Sequence, residues 1–260
     1  MVTLNEQKYP QFERLHILRA EALCSLRDRA FDIFPLYLHD CSDGIVSGCD
    51  FVTTKTLVTL QPGLILHKNF LYFIQEPMSV EYWPTEEYAL MKLIFEPPTL
   101  TENFLQRNVR IILSPDMSLA PNEMELCRFK LKRGAILRTK YTDFFDMATE
   151  FDTVNLINAP HAAVGGATLS PKILRTFAME ARNFALDSED FSFCLVALSG
   201  NVINADHIAF YIERRLKIEL AERDNQTLYE NLCKILSDIK NGNRRELLSP
   251  HRRRRAIMVE

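Results

Sequence analysis

The chain has 260 residues, of which 47% are hydrophobic and 25% charged, and its net charge is −3. These proportions are typical of a globular protein and exclude a fully disordered chain, and the length suits one large domain or two small ones. No run approaches the roughly 18 uncharged apolar residues of a membrane-spanning helix, and no secretory signal is visible. The six cysteines include no CxxC pair, which favours reduced thiols, so we expect a cytoplasmic protein.

Residues 10–34 carry apolar residues at intervals of three and four, which is the spacing of one helix face. Pro10 suits a first helical turn and Pro35 suits a stop. The sequence therefore predicts an N-terminal helical segment, residues 1–40.

Residues 41–140 alternate short β-rich runs with turn signals. The candidate strands are Leu57–Leu60, Leu64–His67, Phe70–Ile74, Ser79–Tyr82, Tyr88–Phe95, Val109–Leu113 and Glu125–Leu131. Their short connections favour antiparallel pairing, so we predict an antiparallel β-sandwich or a small barrel. The strand Phe70–Ile74 is apolar throughout, which predicts cover on both of its faces.

Residues 141–242 have the periodicity of a helical bundle. Ser170 followed by Pro171 predicts a helix start, and Gly242 predicts the end of the last helix. Residues 243–260 then form a predicted flexible basic tail. The predicted fold class is α+β: an N-terminal helix, an antiparallel β domain, a helical domain and the tail.

Two groups of residues suggest chemistry, and each has a simpler structural explanation. Asp143, Asp146 and Glu150 share a face if they lie on one helix, and with His161 they would suit a hard metal or acid–base work. Carboxylates at a helix start and on a solvated face explain the same pattern. The segment VGGATLSP at residues 164–171 has two glycines but neither phosphate-loop motif, so a plain loop is favoured.

The cysteines and histidines give no recognisable motif either. Cys49 and His67 both lie in the β region, yet catalysis needs a thiolate activated by a nearby base, and no pattern selects this pair. Zinc held by Cys41, Cys49 and two histidines would not match a usual ligand spacing. We therefore predict no catalytic residue, no cofactor and no metal, and an enzyme with an unrecognised site near Asp143 or residues 164–171 stays as a third hypothesis.

Positive charge is concentrated at the C-terminal end. The last 18 residues contain six arginines and two glutamates, a net +4, which leaves about −7 for the rest of the chain. The cluster Arg252, Arg253, Arg254 and Arg255 is the candidate partner-binding set, because guanidinium groups pair with carboxylates and phosphates. Nucleic-acid binding, a protein partner and a merely solubilising tail all fit this pattern, and nucleic acid is not favoured because no reading motif accompanies the arginines.

Residues 44–75 combine Gly48-Cys49, a short strand, the turn Pro62-Gly63 and the aromatic strand Phe70-Leu71-Tyr72. This order resembles the small β module near the N-terminus of phage baseplate and tail-fibre-adaptor proteins. The resemblance implies a non-catalytic structural subunit of a phage-tail-like or contractile injection particle, free in the cytoplasm or bound in the particle. It also implies contacts with other subunits in a homo- or hetero-oligomer.

Overall fold

The computed structural model describes residues 9–14, 17–84 and 86–248. Its fold is α+β, with one N-terminal helix, eleven short antiparallel strands and four C-terminal helices within those residues. The predicted fold class is thus confirmed.

The N-terminal helix, α1, spans Ala20–Tyr37 and begins later than the sequence predicts. Pro10 lies outside it, in chain without helical hydrogen bonds. Pro35 lies within its last turn and does not stop it. A proline near a helix end removes an amide hydrogen bond, but the chain continues in helical geometry until Leu38, whose amide donates to the Phe34 carbonyl.

The β region consists of separate small sheets. The strands are β1 (Gly44–Gly48), β2 (Phe51–Thr53), β3 (Leu57–Leu60), β4 (Gly63–His67), β5 (Phe70–Ile74), β6 (Met78–Glu81), β7 (Ala89–Phe95), β8 (Thr99–Leu100), β9 (Leu105–Gln106), β10 (Val109–Ser114) and β11 (Glu123–Phe129). The sheets have the orders β1-β4-β5, β2-β3-β6, β10-β7-β11 and β8-β9. All pairs are antiparallel, and the described residues form no closed barrel.

A close backbone contact joins β1 to β4. Gly48 pairs with Gly63, and the Cys49 amide donates to the Pro62 carbonyl at 3.1 Å. A Cβ on Gly48 would lie 2.4 Å from the Pro62 oxygen, and one on Gly63 would lie 2.5 Å from the Cys49 nitrogen. These two glycines are therefore required by the approach of the strands, because any side chain would collide with backbone.

The strand β7 is the centre of the β region, since all seven of its residues are buried. Lys92 is one of them, and its ammonium group donates to the Glu123 carboxylate and to the Ser118 carbonyl. A buried lysine of this kind is stabilised by these partners and has a structural role. On β11, Cys127 and Phe129 are buried, whereas Arg128 between them is half-buried.

The helical region contains α2 (Pro171–Ala181), α3 (Ser188–Leu198), α4 (Ala205–Leu216) and α5 (Asn225–Leu248). The start at Ser170 is confirmed, because its hydroxyl accepts a hydrogen bond from the Lys172 amide. The predicted end at Gly242 is wrong, since α5 continues through it to Leu248. Glycine costs a helix interior only about 1 kcal/mol relative to alanine, which weakens a 24-residue helix without ending it.

Two hydrophobic cores hold the molecule. One lies among the helices and is built around Phe144, Phe177 and Tyr229. The other lies among the sheets. The chain that follows the 3₁₀ turn contributes to both cores, with Val154 in the β core and Ile157 in the helical core. The division into residues 1–40, 41–140, 141–242 and 243–260 stays a prediction.

Candidate functional site

Cys49 and His67 do not form a catalytic pair. Cys49 contacts Gly63 at one end of β4, and His67 is the last residue of that strand. Four residues of extended chain separate these points by about 13 Å. Burial also raises the pKa of the Cys49 thiol to about 11, so the thiol stays protonated and is a poor nucleophile.

His67 has a structural environment of its own. Its ring stacks on Phe95 with centroids 3.8 Å apart, and Nδ1 lies 2.8 Å from the Asp43 carboxylate. The other oxygen of Asp43 accepts from the Lys68 amide at 2.8 Å. Burial lowers the pKa of His67, with Asp43 opposing that shift. The histidine therefore ties the β4–β5 turn to the chain that follows α1.

The carboxylates of Asp143, Asp146 and Glu150 each have a different partner. The chain around Asp143 and Glu150 forms only a 3₁₀ turn, Phe145–Ala148, so the three carboxylates share no helix face. Asp143 accepts from the amide of Asp146, and Glu150 pairs with Lys130. Asp146 accepts two hydrogen bonds from Arg138, at 2.6 and 2.5 Å. That guanidinium is the main reason the pKa of Asp146 lies well below its usual range.

His161 and the glycine-rich loop are also structural. The His161 backbone pairs with that of Thr168, and burial lowers the pKa of its imidazole to about 4. Thr168 donates its hydroxyl to the Ile203 carbonyl, and its own carbonyl accepts from Asn225. The loop is therefore pinned against the helices, and its two glycines form part of a turn.

An apolar cavity of about 220 Å³ lies between the 3₁₀ turn and α2. Its lining residues are Tyr141, Met147, Leu156, Lys172, Ile173 and Thr176. This volume is smaller than the roughly 300–1,000 Å³ of most small-molecule sites. Lys172 at its edge forms an ion pair with Asp50. In the described part of the chain, no cluster of three or more His, Cys, Asp or Glu residues is arranged to hold a metal ion.

The unusual feature of the molecule is the outward face of α1. The exposed large apolar side chains of α1 are Leu23, Leu26, Phe31, Ile33, Phe34, Leu36 and Tyr37, and five of them, Leu23, Leu26, Ile33, Phe34 and Tyr37, share one face of the helix. Half-buried positions of the helix include Ala22, Ser25 and Arg29, and the Arg29 guanidinium covers the Tyr9 ring. A helix normally turns its apolar stripe toward the core, so this orientation leaves a surface for a partner.

Exposed apolar residues continue beside α1. The helix lies next to β5, where Phe70 and Phe73 are exposed. This corrects the expectation that Phe70–Ile74 is covered on both faces, because Tyr72 and Ile74 are buried on one face whereas Phe73 on the opposite face is exposed. Arg107 covers the Phe70 ring at 3.4 Å and follows the β8–β9 hairpin. The exposed apolar residues of that hairpin are Leu100, Phe104 and Leu105.

We call the outward face of α1, the two phenylalanines of β5 and the β8–β9 hairpin the N-terminal apolar surface. No motif in the sequence marks it. The apolar spacing of α1 is visible there, but it predicts a buried face, and only the structure shows that the face is uncovered.

A second apolar surface lies on the helical region. The turn after α2 and the exposed side of α3 enclose an open groove of about 240 Å³. Its apolar residues include Phe184, Leu186, Phe191, Leu195 and Leu198, and Arg182 lies at its edge. We call it the α3 groove.

The arginine cluster Arg252–Arg255 lies outside the described residues, so its role in partner binding stays a prediction. Over the residues that are described, no helix has both the length and the apolar character needed to cross a membrane.

Comparisons with known proteins add little. No protein-family model matches the chain, and no curated protein matches it significantly. A solved structure titled "Crystal structure of TssK" is similar over 91% of this chain and 72% of that one, with a TM-score of 0.44 and 9% sequence identity. A likeness at that level indicates nothing about function. The functional proposal therefore rests on the two apolar surfaces.

Proposed function

We propose that this chain is a non-catalytic structural subunit of a phage-tail-like or contractile injection particle. Within that particle it is a baseplate component that holds other subunits by protein–protein contacts. The observation that carries the proposal is the N-terminal apolar surface, which joins an outward-facing helix, an edge strand and a hairpin.

The character of this surface favours a protein partner. Its large aromatic and aliphatic side chains are typical of the buried centre of an interface. An anionic membrane would call for a basic helix, whereas α1 alternates Glu21, Asp28 and Asp32 with Arg27 and Arg29. Nucleic acid is disfavoured by the charge of about −7 outside the last 18 residues.

The baseplate part of the proposal rests on the module at residues 44–75. The residues of the resemblance are structurally linked, because Gly48-Cys49 and Pro62-Gly63 meet across β1 and β4, and the aromatic strand β5 pairs with β4. The module therefore presents β5 at the edge of its sheet, where Phe73 is 55% exposed. An exposed edge strand with aromatic side chains is a suitable place for a neighbouring subunit.

Particle incorporation tests the proposal directly. Phe73 and Phe104 are replaced together by serine, and the variant is expressed in a strain whose own gene is deleted. We expect the wild type to co-sediment with assembled particles and the double variant to remain in the supernatant. Phe210→Ser is the matched control, because Phe210 is 63% exposed and belongs to α4, which is not part of the N-terminal apolar surface. Normal incorporation of the double variant, or particles that never contain the wild type, would contradict the proposal.

The four arginines Arg252–Arg255 are proposed as an additional contact with an acidic face of a partner subunit. Replacing all four by serine should weaken particle association mainly at low salt, because ionic contacts are screened as salt increases. Association with the same salt dependence as the wild type would remove the tail from the interface.

A further inference from the structure

The molecule presents an uncovered apolar helix and an uncovered apolar groove at the same time. The helix is α1, on which Ile33 is 59% exposed, and the groove is the α3 groove, in which Leu195 is 55% exposed. Because both are open in one chain, α1 does not fill the groove of its own molecule. The exposed apolar face of α1, here called the ridge, on one copy and the α3 groove on a second copy are therefore both apolar and both uncovered.

From this pairing we infer that α1 of one copy docks in the α3 groove of a second copy. Its 18 residues give α1 a length of about 27 Å, so it is longer than the 11-residue α3 that borders the groove. An amphipathic helix lying in an apolar groove is a recurring mode of recognition, with side chains three and four apart as anchors. Leu26 and Ile33 are anchors of this kind.

Charge supports a second copy as the occupant. Arg182 at the edge of the groove donates only to the Met179 sulfur, and it has no carboxylate partner among the described residues. Asp32 on α1 likewise has no cationic partner within the described part of the chain. Asp32 lies about 100° around the helix from Ile33, on the flank of the exposed apolar face, and Arg182 lies at the edge of the groove, so docking would bring these opposite charges together at the rim.

The geometry of assembly follows from the two different surfaces. A contact between unlike surfaces is heterologous, so each copy can bind one neighbour through α1 and another through the groove. The expected products are closed rings or open filaments. This inference goes beyond the proposed function, because it concerns contacts between identical chains and needs no particle.

The first test measures the mass of the purified full chain by sedimentation velocity over a wide concentration range. We expect the wild type to assemble beyond a monomer as concentration increases. Leu195→Glu should remain monomeric, because a charge in the groove blocks α1. Its matched control is Val196→Glu, since Val196 is also exposed on α3, at 41%, but does not line the groove. The control should assemble like the wild type.

Mixing two variants decides between unlike and like contacts. Leu26→Glu combined with Ile33→Glu removes the ridge and should also be monomeric alone. Mixed with Leu195→Glu, it should give a dimer, because one partner keeps a sound groove and the other keeps a sound α1. Pairing of α1 with α1 predicts no mixed dimer, and Leu195→Glu would then still form a dimer with itself. Absence of the mixed dimer, a monomeric wild type at every concentration, or unaffected assembly of Leu195→Glu would each overturn the inference.

A charge reversal tests the rim contact. Arg182→Asp and Asp32→Arg should each weaken assembly by about threefold to fivefold, the range of an exposed ion pair. The double variant should return to the affinity of the wild type. Full additivity of the two losses would exclude contact between these residues. Failure of these experiments would leave the proposed particle contacts untouched, because particle incorporation is measured separately.

Discussion

Gly63→Ala is expected to destabilise the β region strongly. The added Cβ would lie 2.5 Å from the Cys49 backbone nitrogen, 2.5 Å from the Cys49 sulfur and 2.6 Å from the Ser47 oxygen. Real Cβ atoms essentially never approach other atoms closer than 3.0 Å. Two of these three neighbours are backbone atoms of the paired strand, so they cannot turn away as a flexible side chain would.

The magnitude follows from the movement that is required. Relief of the contact needs a shift of roughly 1 Å in β1 or β4, and inserting a methyl group into a tightly packed site costs about 1–3 kcal/mol. Because backbone must move, we expect the upper end, a loss of about 3 kcal/mol in the free energy of unfolding. Gly242→Ala is the matched control: its Cβ meets nothing within 4 Å, and alanine in α5 should stabilise by about 1 kcal/mol.

Urea denaturation followed by far-ultraviolet circular dichroism measures both variants. The same chemical change should move the midpoint in opposite directions, downward for Gly63→Ala and upward for Gly242→Ala. A Gly63→Ala protein as stable as the wild type would show that β1 and β4 are not in close backbone contact, and the described packing of this module would be wrong.

Three further predictions concern titration, an ion pair and thiol access. As pH falls from 6.5 toward 4, the free energy of unfolding should decrease by up to about 3 kcal/mol on account of His161. The pKa of His161 is about 4 in the folded protein and higher in the unfolded chain, so the unfolded chain binds the proton first. His161→Gln should flatten that part of the urea-midpoint profile, and an unchanged profile would contradict the burial of the imidazole. Asp146→Asn should cost about 2 kcal/mol in the free energy of unfolding at pH 7, because it leaves Arg138 without its paired carboxylate; Asp206→Asn, in the exposed pair with Arg223, should cost less than 1 kcal/mol. A thiol reagent should label the exposed Cys24 in the native protein. Cys49, Cys127 and Cys194 should react only after unfolding, because burial shields these thiols and raises the pKa of each. Mass spectrometry measures the labelling, and rapid labelling of Cys127 in the native protein would refute the position of β11 in the core.

Local patterns predicted several elements well. The strands Leu57–Leu60 and Phe70–Ile74 have their predicted bounds, and the helix after Ser170 starts where its cap predicts. Each of these signals acts within a few residues, through strand propensity or a side-chain hydrogen bond to the next turn. The same kind of signal failed at Gly242, because a single glycine weakens a helix without ending it.

The candidate sites show where such reasoning ends. Asp143, Asp146 and Glu150 are spaced for one helix face, but the chain there is a short 3₁₀ turn and each carboxylate has a different partner. Their partners come from residues as distant in sequence as Lys130, and no local pattern specifies such pairings. The α3 groove likewise joins the turn after α2 to α3 and has no signature of its own.

The sequence by itself determined the α+β class, most strand positions, the helix start at Ser170 and the absence of any recognised catalytic motif. These properties follow from periodicity, propensity and caps, which depend on near neighbours in the chain. Only the tertiary structure decided that the apolar face of α1 points outward, that β5 is an edge strand and that Gly48 meets Gly63. An apolar stripe specifies that a surface must be covered, but whether the cover is the chain's own core or another molecule depends on how the distant elements pack.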